Sequence, residues 1–338
     1  MKINFRLVAI FILSALFAIS CNSSVNNVAP TSQAPAASNF KVAVVLPRDA
    51  KTDDWSKSGY EGLQAIKQQL GATIDYRENV DVPSPQPPAV FEKVFREYAK
   101  TGYDLIIGHG GQFIPTIETI AQEFPRTKFA ALGGTYSGNN KNFASLGFRA
   151  GEAGYVLGVA AALASKTNKI AFIGGERVGE LINTSKFYEK GAKATNSQVT
   201  VSISYVESWT DEVKAKQLTE AAIKSGVDVI VANAGKPDTA IIKLADSLGV
   251  KVIGTYKDVY DLAPKAVLTS YLYSVPVLYV QAATLIRQGR WEGKGYRFGM
   301  KEKAIDFAPF RGQLTSEQEA KVNAVKQDIL LGKIEGLL

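Results

Sequence analysis

His109 is the single histidine and Cys21 the single cysteine among 338 residues, and that inventory decides much of the chemistry open to the chain. Ser-His-Asp and Cys-His nucleophiles need a histidine base beside the nucleophile, and two-histidine metal centres need a second imidazole. Enzymes of those kinds are excluded. His109-Gly110-Gly111 is shaped like an oxyanion loop, yet no G-x-S-x-G elbow exists for it to serve, so His109 reads as a loop histidine near a cleft. There is no G-x-x-x-x-G-K-[ST] loop, and Gly174-Gly175-Glu176-Arg177-Val178-Gly179 lacks dinucleotide-binding spacing. No cofactor, metal or catalytic residue is expected; paired carboxylates of the glycosidase kind stay open as a remote reading.

What remains is a set of aromatic and acidic residues in two matching contexts. Asp53-Asp54-Trp55 follows one apolar run, and Glu207-Ser208-Trp209-Thr210-Asp211 follows another. A flat ligand held between Trp55 and Trp209 gains about 1–3 kcal/mol from each face it stacks. The alternative is that each indole packs as a staple on its own helix, with Asp54 and Asp211 as caps. Trp291, in Gly289-Arg290-Trp291-Glu292-Gly293, reads as a surface residue of a turn.

The elements that must position these indoles repeat one pattern: polar helix, glycine, apolar run. AIKQQLGATIDY, REYAKTGYDLII, AAIKSGVDVIVA and LADSLGVKVIG share it, so Gly71, Gly102, Gly226 and Gly249 mark αβ joints where a helix ends in a left-handed residue. The runs Val42–Leu46, Leu105–Ile107, Ile170–Ile173, Val229–Val231 and Val252–Ile253 are continuous rather than alternating, as in strands buried on both faces. The expected fold class is therefore α/β, with two doubly wound parallel-sheet lobes joined by a hinge with chain crossovers. The first lobe is expected to take residues 40–147 and 258–290, the second 148–257 and 291–338, with hinges near Phe148, Lys257 and Gly293. Ligands of such sheets bind beyond the carboxyl ends of the strands. Those ends carry residues 47–55, 108–113, 133–136, 176–177, 207–211, 233–238 and 255–258.

Lys2 and Arg6 precede an apolar run from Leu7 to Ile19, too short to span a bilayer, which takes about 20 apolar residues. Residues 1–20 read as an export signal. Ala18-Ile19-Ser20-Cys21 resembles the lipobox of bacterial lipoproteins, which implies acylation of Cys21; ordinary cleavage leaving a loose thiol is the alternative. Residues 21–39 are too polar to bury themselves and form a flexible tether. The charge of +7 is spread along the chain, and no basic run marks a nucleic-acid site.

Trp55-Ser56-Lys57-Ser58-Gly59-Tyr60-Glu61-Gly62, with IAQEFPRTKFAALGG, GEAGYVLGVAAALASKTNKIAFIGG, SWTDEVKAKQLTEAAIKSGVDVIVANAG and IGTYKDVYDLAPKAVLTS in this order, resembles the basic membrane protein family of ABC-transporter substrate-binding lipoproteins, which includes purine nucleoside binders. The resemblance implies a type I periplasmic-binding-protein-like fold. It implies a base sandwiched by Trp55 and Trp209, Asp258 as a polar clamp, and Gly235 as a close backbone approach. Nucleoside binders usually carry Phe-Asn in place of Trp55-Ser56, an aspartate near Pro115 and a lysine near Tyr273, so different ligand atoms are matched here. The candidate ligand-binding residues are Asp54, Trp55, Ser56, Gly110, Gly111, Phe113, Trp209, Gly235, Lys236, Asp258 and Tyr273. The implied partners are a small molecule, an ABC permease with its ATPase, and a membrane reached through the lipid on Cys21 at the extracytoplasmic or periplasmic face. The protein itself is expected to be monomeric. A cell-surface sensor that shows its closed form to a signalling receptor is the rival reading. Replacing Cys21 with alanine should move the protein from the membrane to the soluble fraction; a variant that stays with the membrane refutes the anchor.

Overall fold

A computed structural model describes residues 39–82, 85–133 and 137–337; Cys21, the signal and most of the tether lie outside the described residues. The first series runs β1 (Lys41–Val45), α1 (Asp54–Leu70), β2 (Thr73–Arg77), α2 (Pro88–Lys100), β3 (Leu105–Gly108), α3 (Ile114–Glu123), β4 (Lys128–Leu132) and β5 (Phe143–Phe148). The second runs α4 (Ala150–Ala164), β6 (Lys169–Gly174), α5 (Gly179–Thr195), β7 (Thr200–Tyr205), α6 (Glu212–Lys224), β8 (Val229–Asn233), α7 (Asp238–Ser247), β9 (Lys251–Tyr256) and β10 (Val267–Tyr273). The chain then makes α8 (Val275–Arg287), β11 (Tyr296–Phe298), β12 (Ile305–Phe307) and α9 (Ser316–Leu330). One sheet has the order β11-β5-β4-β3-β1-β2 and the other β12-β10-β9-β8-β6-β7, parallel throughout except for the antiparallel β12 edge. Two doubly wound α/β lobes result.

The local causes follow the expected chemistry. Gly71, Gly102, Gly226 and Gly249 all have positive φ, between 65° and 94°, which a side chain would oppose. Helix α1 is capped by Asp53, whose carboxylate accepts from Ser56 N, rather than by Asp54; Asp211 caps α6 through Lys214 N as expected. Successive residues of each continuous strand go to opposite layers. Val42 and Val44 join one core while Ala43 and Val45 join another, and Ile170 and Phe172 part in the same way from Ala171 and Ile173.

The expected division of the late elements needs correction. The strand 267–273, expected in the first lobe, pairs with β9 in the second sheet, and β11, expected in the second lobe, pairs with β5 in the first. Helix α8 does pack on α1. The connections between sheets therefore lie at residues 149–150, 274 and 299–304, not at Lys257, which leads from β9 into β10 of the same sheet. These connections are tied side by side. Arg149 N donates to Phe298 O (2.9 Å), Ser274 N to Ala304 O (2.9 Å), and Met300 N to a carboxylate oxygen of Glu152 (2.8 Å). Burial pushes the Glu152 carboxyl above its usual range, against the Met300 N–H and the neighbouring Arg149.

Helices α4 and α5 cross backbone to backbone. A Cβ at Gly158 would overlap the carbonyl oxygen of Tyr188, and one at Gly191 that of Tyr155. Gly158→Ala should therefore lower stability by at least about 1 kcal/mol in urea titration, although alanine normally gains about 1 kcal/mol over glycine in a helix. A stabilised variant would contradict the close crossing.

Candidate functional site

The loop after β3 and the first turn of α1 lock one another. The His109 imidazole is buried, with Nε2 2.7 Å from the Trp55 carbonyl oxygen and Nδ1 2.7 Å from the Tyr279 hydroxyl on α8. A carbonyl only accepts, so Nε2 carries the proton and Nδ1 accepts from the phenol. Trp55 returns the bond, Nε1 donating to His109 O at 3.2 Å, and the two rings stack with centroids 4.2 Å apart. Gly59 and Gly62 make the arrangement possible: a Cβ on Gly59 would stand 2.7 Å from His109 Cγ, and one on Gly62 2.5 Å from the Tyr279 ring. Burial drives the imidazole pKa from 6.5 down to about 4, against a smaller opposing effect of the Trp55 carbonyl. It is neutral near pH 7.

Facing Trp55 from the second lobe is Tyr256, the last residue of β9, edge-on at 6.4 Å between centroids. Its φ of 76° lies in the left-handed region, a strain of about 1–3 kcal/mol for a residue with a Cβ. The Tyr256 ring meets Tyr273 at 4.3 Å, and Tyr273 meets Phe148 at 4.8 Å. An unbroken run of rings thus passes from the first lobe through the strand ends of the second and back. Burial pushes the Tyr256 and Tyr273 phenols well above their ordinary range. At the rim, Lys257 reaches Asp54 of the first lobe at 3.0 Å. Both side chains are exposed, so this pair contributes under about 1 kcal/mol.

Two carboxylates stand on the second-lobe side. Asp238, at the start of α7, accepts from Ala234 N (2.6 Å) and the Thr255 hydroxyl (3.2 Å) and so fixes the loop after β8. Burial raises its pKa to about 7 in spite of those donors. Glu180, in the first turn of α5, is half-buried, and its carboxylate has neither hydrogen-bond nor ion-pair partner among the described residues. Burial alone raises it to about 7. Its charge acts on the hydroxyls of both Tyr256 and Tyr273.

The candidate residues named from sequence divide accordingly. Asp54, Trp55 and Tyr273 stand among the rings and the rim that join the lobes. Ser56 is buried and caps the Arg48 backbone N–H at 3.1 Å. Gly110 is buried and Gly111 opens the short turn leading to α3. Phe113 must be corrected: that turn rotates it inward, where it packs edge-on against Phe91 and Phe95 with no exposure. Trp209 is half-buried over the ends of β6 and β8, with its ring 2.5 Å from where a Gly175 Cβ would stand and 3.3 Å from a Gly235 Cβ. Gly235 has φ 80°, Lys236 is exposed, and Lys236 N donates to Trp209 O. Trp55 and Trp209 make no ring contact with one another. Asp258, the expected polar clamp, has its carboxylate held by Arg311 and by Tyr260 N. Despite partial burial, that guanidinium keeps it below the usual carboxylate range. Sequence reasoning passed over Tyr256, Phe148 and Glu180; only the position of Tyr256 at a strand end was a usable signal.

Two α/β lobes joined by chain crossovers, with aromatic rings gathered where their strand ends meet, have a type I periplasmic-binding-protein-like fold. The chain belongs to the family described as ABC transporter substrate-binding protein PnrA-like, which matches residues 40–336. It is 29% identical to a purine-binding protein of Brucella abortus over 82% of this chain and 79% of the relative. It is 28% identical to the ABC transporter nucleoside-binding protein BmpA of Lactococcus lactis, over 88% of each chain. Among solved structures, a transcriptional activator of the comK gene from Bacillus halodurans superposes with a TM-score of 0.76 at 26% identity, covering 88% of this chain and 100% of that one.

Because its folded-state pKa is depressed, His109 contributes stability that is complete above the unfolded value of 6.5 and is lost as pH falls toward 4. As the only histidine, it gives an unambiguous NMR signal. Its imidazole should stay neutral, protonated on Nε2, from pH 8 down to about 5; an ordinary titration near 6.5 would contradict the clamp.

Proposed function

We propose that this protein is an extracytoplasmic lipoprotein, anchored through Cys21, that captures a small planar ligand, a purine nucleoside or a related compound, between its two lobes and delivers it to an ABC permease. The observation that carries the reading is the aromatic run from Trp55 through Tyr256 and Tyr273 to Phe148, which offers ring faces and edges from both lobes at one place. The printed functions of the Brucella and Lactococcus relatives, purine and nucleoside binding, support it. Trp55 offers one indole face, because the other is taken by His109. Trp209, resting over Gly175 and Gly235, is assigned the opposing face, and the backbone at Gly235 and Gly111 the close approaches. Closure follows the ligand's better contacts in the closed state, with the paired crossovers as hinge.

A second reading is a cell-surface sensor whose closed form is read by a signalling receptor. It is favoured by the likeness to the comK activator, since the same lobes then serve regulation rather than transport.

Native mass spectrometry followed by thermal shift with purines, nucleosides and sugars tests the first reading. A ligand at about 100 times its Kd should stabilise the fold by about 2.7 kcal/mol. Trp55→Ala and Trp209→Ala should each weaken binding by about 1–3 kcal/mol with far-UV dichroism intact. Unchanged affinity in both variants rejects the stack.

A further inference from the structure

We propose that Asp238 is the positioning residue of the second lobe: its carboxylate ties the loop on which Trp209 rests to the strand end that carries Tyr256, so that both aromatic surfaces meet a ligand together. The inference rests on the planar-ligand reading above and deepens it, since Asp238 acts through Trp209 and Tyr256 and is given no ligand contact of its own.

Asp238 opens α7, yet it does not cap its own helix. The N-cap residue is Pro237, and no side chain caps that end. The carboxylate turns back instead. One oxygen accepts from the N–H of buried Ala234 at 2.6 Å, and the Asp238 N–H closes the same turn on Gly235 O at 3.0 Å. The other oxygen accepts from the Thr255 hydroxyl on β9 at 3.2 Å. That hydroxyl also lies 3.0 Å from Ala232 O on β8. A single side chain thus spans the ends of two neighbouring strands.

The first of those ends carries Trp209. The turn 234–236 holds Gly235 at φ 80°, where a side chain would be opposed. Trp209 Cε3 stands 3.3 Å from where a Gly235 Cβ would be, and Lys236 N donates to Trp209 O at 3.3 Å. The indole also covers Gly175, whose N–H donates to Asn233 O at 3.0 Å. Its floor is therefore bare backbone from the ends of β6 and β8, and a floor of that kind keeps its shape only as well as its loop is held. Among the described residues, Asp238 makes the only side-chain hydrogen bond to the backbone of that turn. The second end carries Tyr256. Thr255 is buried and directly precedes it, and Tyr256, with its left-handed φ of 76°, faces Trp55 edge-on at 6.4 Å. A strained backbone persists only where its surroundings over-determine it, and Asp238 is one of the groups that hold Thr255. The alternative role is a carboxylate that only favours the positive end of α7. Its loss would lower stability and leave the affinity of the folded protein alone.

The test uses the whole extracytoplasmic protein labelled with 5-fluorotryptophan. Its three tryptophans give three fluorine signals, assigned by replacing each in turn with phenylalanine. Without any ligand, Asp238→Ala should shift or broaden the Trp209 signal and leave that of Trp291 in place. Inosine, guanosine, adenine and hypoxanthine serve as probes. Affinity for the tightest-binding probe should fall at least about fivefold in Asp238→Ala, and in the double variant with Trp209→Ala the two losses should fall short of multiplying, because the carboxylate acts through the indole. Asp238→Asn keeps an acceptor for Ala234 N and offers Thr255 a donor, so it should stay within about threefold of the native protein. Should Asp238→Ala fail to fold, Thr255→Val removes only the second tie and should weaken binding, while Thr255→Ser restores it. An unmoved Trp209 signal, losses that multiply, or a lowered melting temperature with unchanged affinity overturns the positioning role; the planar-ligand reading still stands if Trp209→Ala itself weakens binding. If none of the four probes binds, the planar-ligand reading falls and takes the ligand role of Asp238 with it, and the fluorine signal alone decides whether the carboxylate holds the indole.

Discussion

A neutral imidazole donating to the Trp55 carbonyl is the constraint on which the binding face of the first lobe depends. His109 joins three elements that are far apart in sequence: the first turn of α1, the end of β3, and α8, which returns from the second sheet. Protonation would force the imidazole to donate twice, and the Tyr279 hydroxyl would have to turn into an acceptor inside a dry contact. Burial prevents this near pH 7. The indole of Trp55 is then fixed by its own N–H, its stack on the imidazole, and the glycine-lined surface of α1, so its free face is set before any ligand arrives. Rotational freedom that has already been removed does not have to be lost on binding.

The periodic part of the architecture was legible in the sequence because each device acts locally. A glycine at a helix end needs no partner beyond its own turn, and a continuous apolar run declares burial on both faces wherever its sheet is built. The late strands β10 and β11 escaped because their sheet membership is decided by pairing with residues far along the chain, β9 and β5, and nothing inside Val267–Tyr273 or Tyr296–Phe298 encodes that choice. The same distinction governs the site. Trp55 and Trp209 announced themselves by type and by position after a strand. Nothing local to Asp258 marks its partner Arg311, which lies 53 residues later. Phe113 lies in the segment that follows a strand end, yet a single helical turn is enough to carry its ring into the core. Glu180 carries no local mark at all; its character comes from what the folded surroundings fail to supply.

The crossovers show how such a body can move without coming apart. Arg149, Ser274 and the 299–304 segment bond to one another across the passage between sheets, and Glu152 accepts from Met300 there. Bending at this place rotates three tied strands together, while the larger core runs from the first sheet through α1, α8, α4 and α5 to the second. The glycine contacts of α4 with α5 stiffen the second lobe just beyond the hinge. A lobe that is rigid on the far side of its hinge transmits a small rotation to its strand ends, where the rings are.

Closure must then be driven by what enters the cleft, since the protein's own contacts across it are weak. The Lys257–Asp54 pair is 67% and 75% exposed, and exposed pairs of this kind contribute about 0–1 kcal/mol. Tyr256 against Trp55 is one edge contact, of about 0.5–1.5 kcal/mol beyond its burial. Neither contact is strong. A ligand that covers the free face of Trp55 and meets the second lobe's strand ends can therefore decide the balance, because only the closed arrangement lets both lobes touch it at once. Contacts this weak keep an empty cleft from holding itself shut, and they make the state of the lobes a report on occupancy, as delivery to a permease or presentation to a receptor each requires.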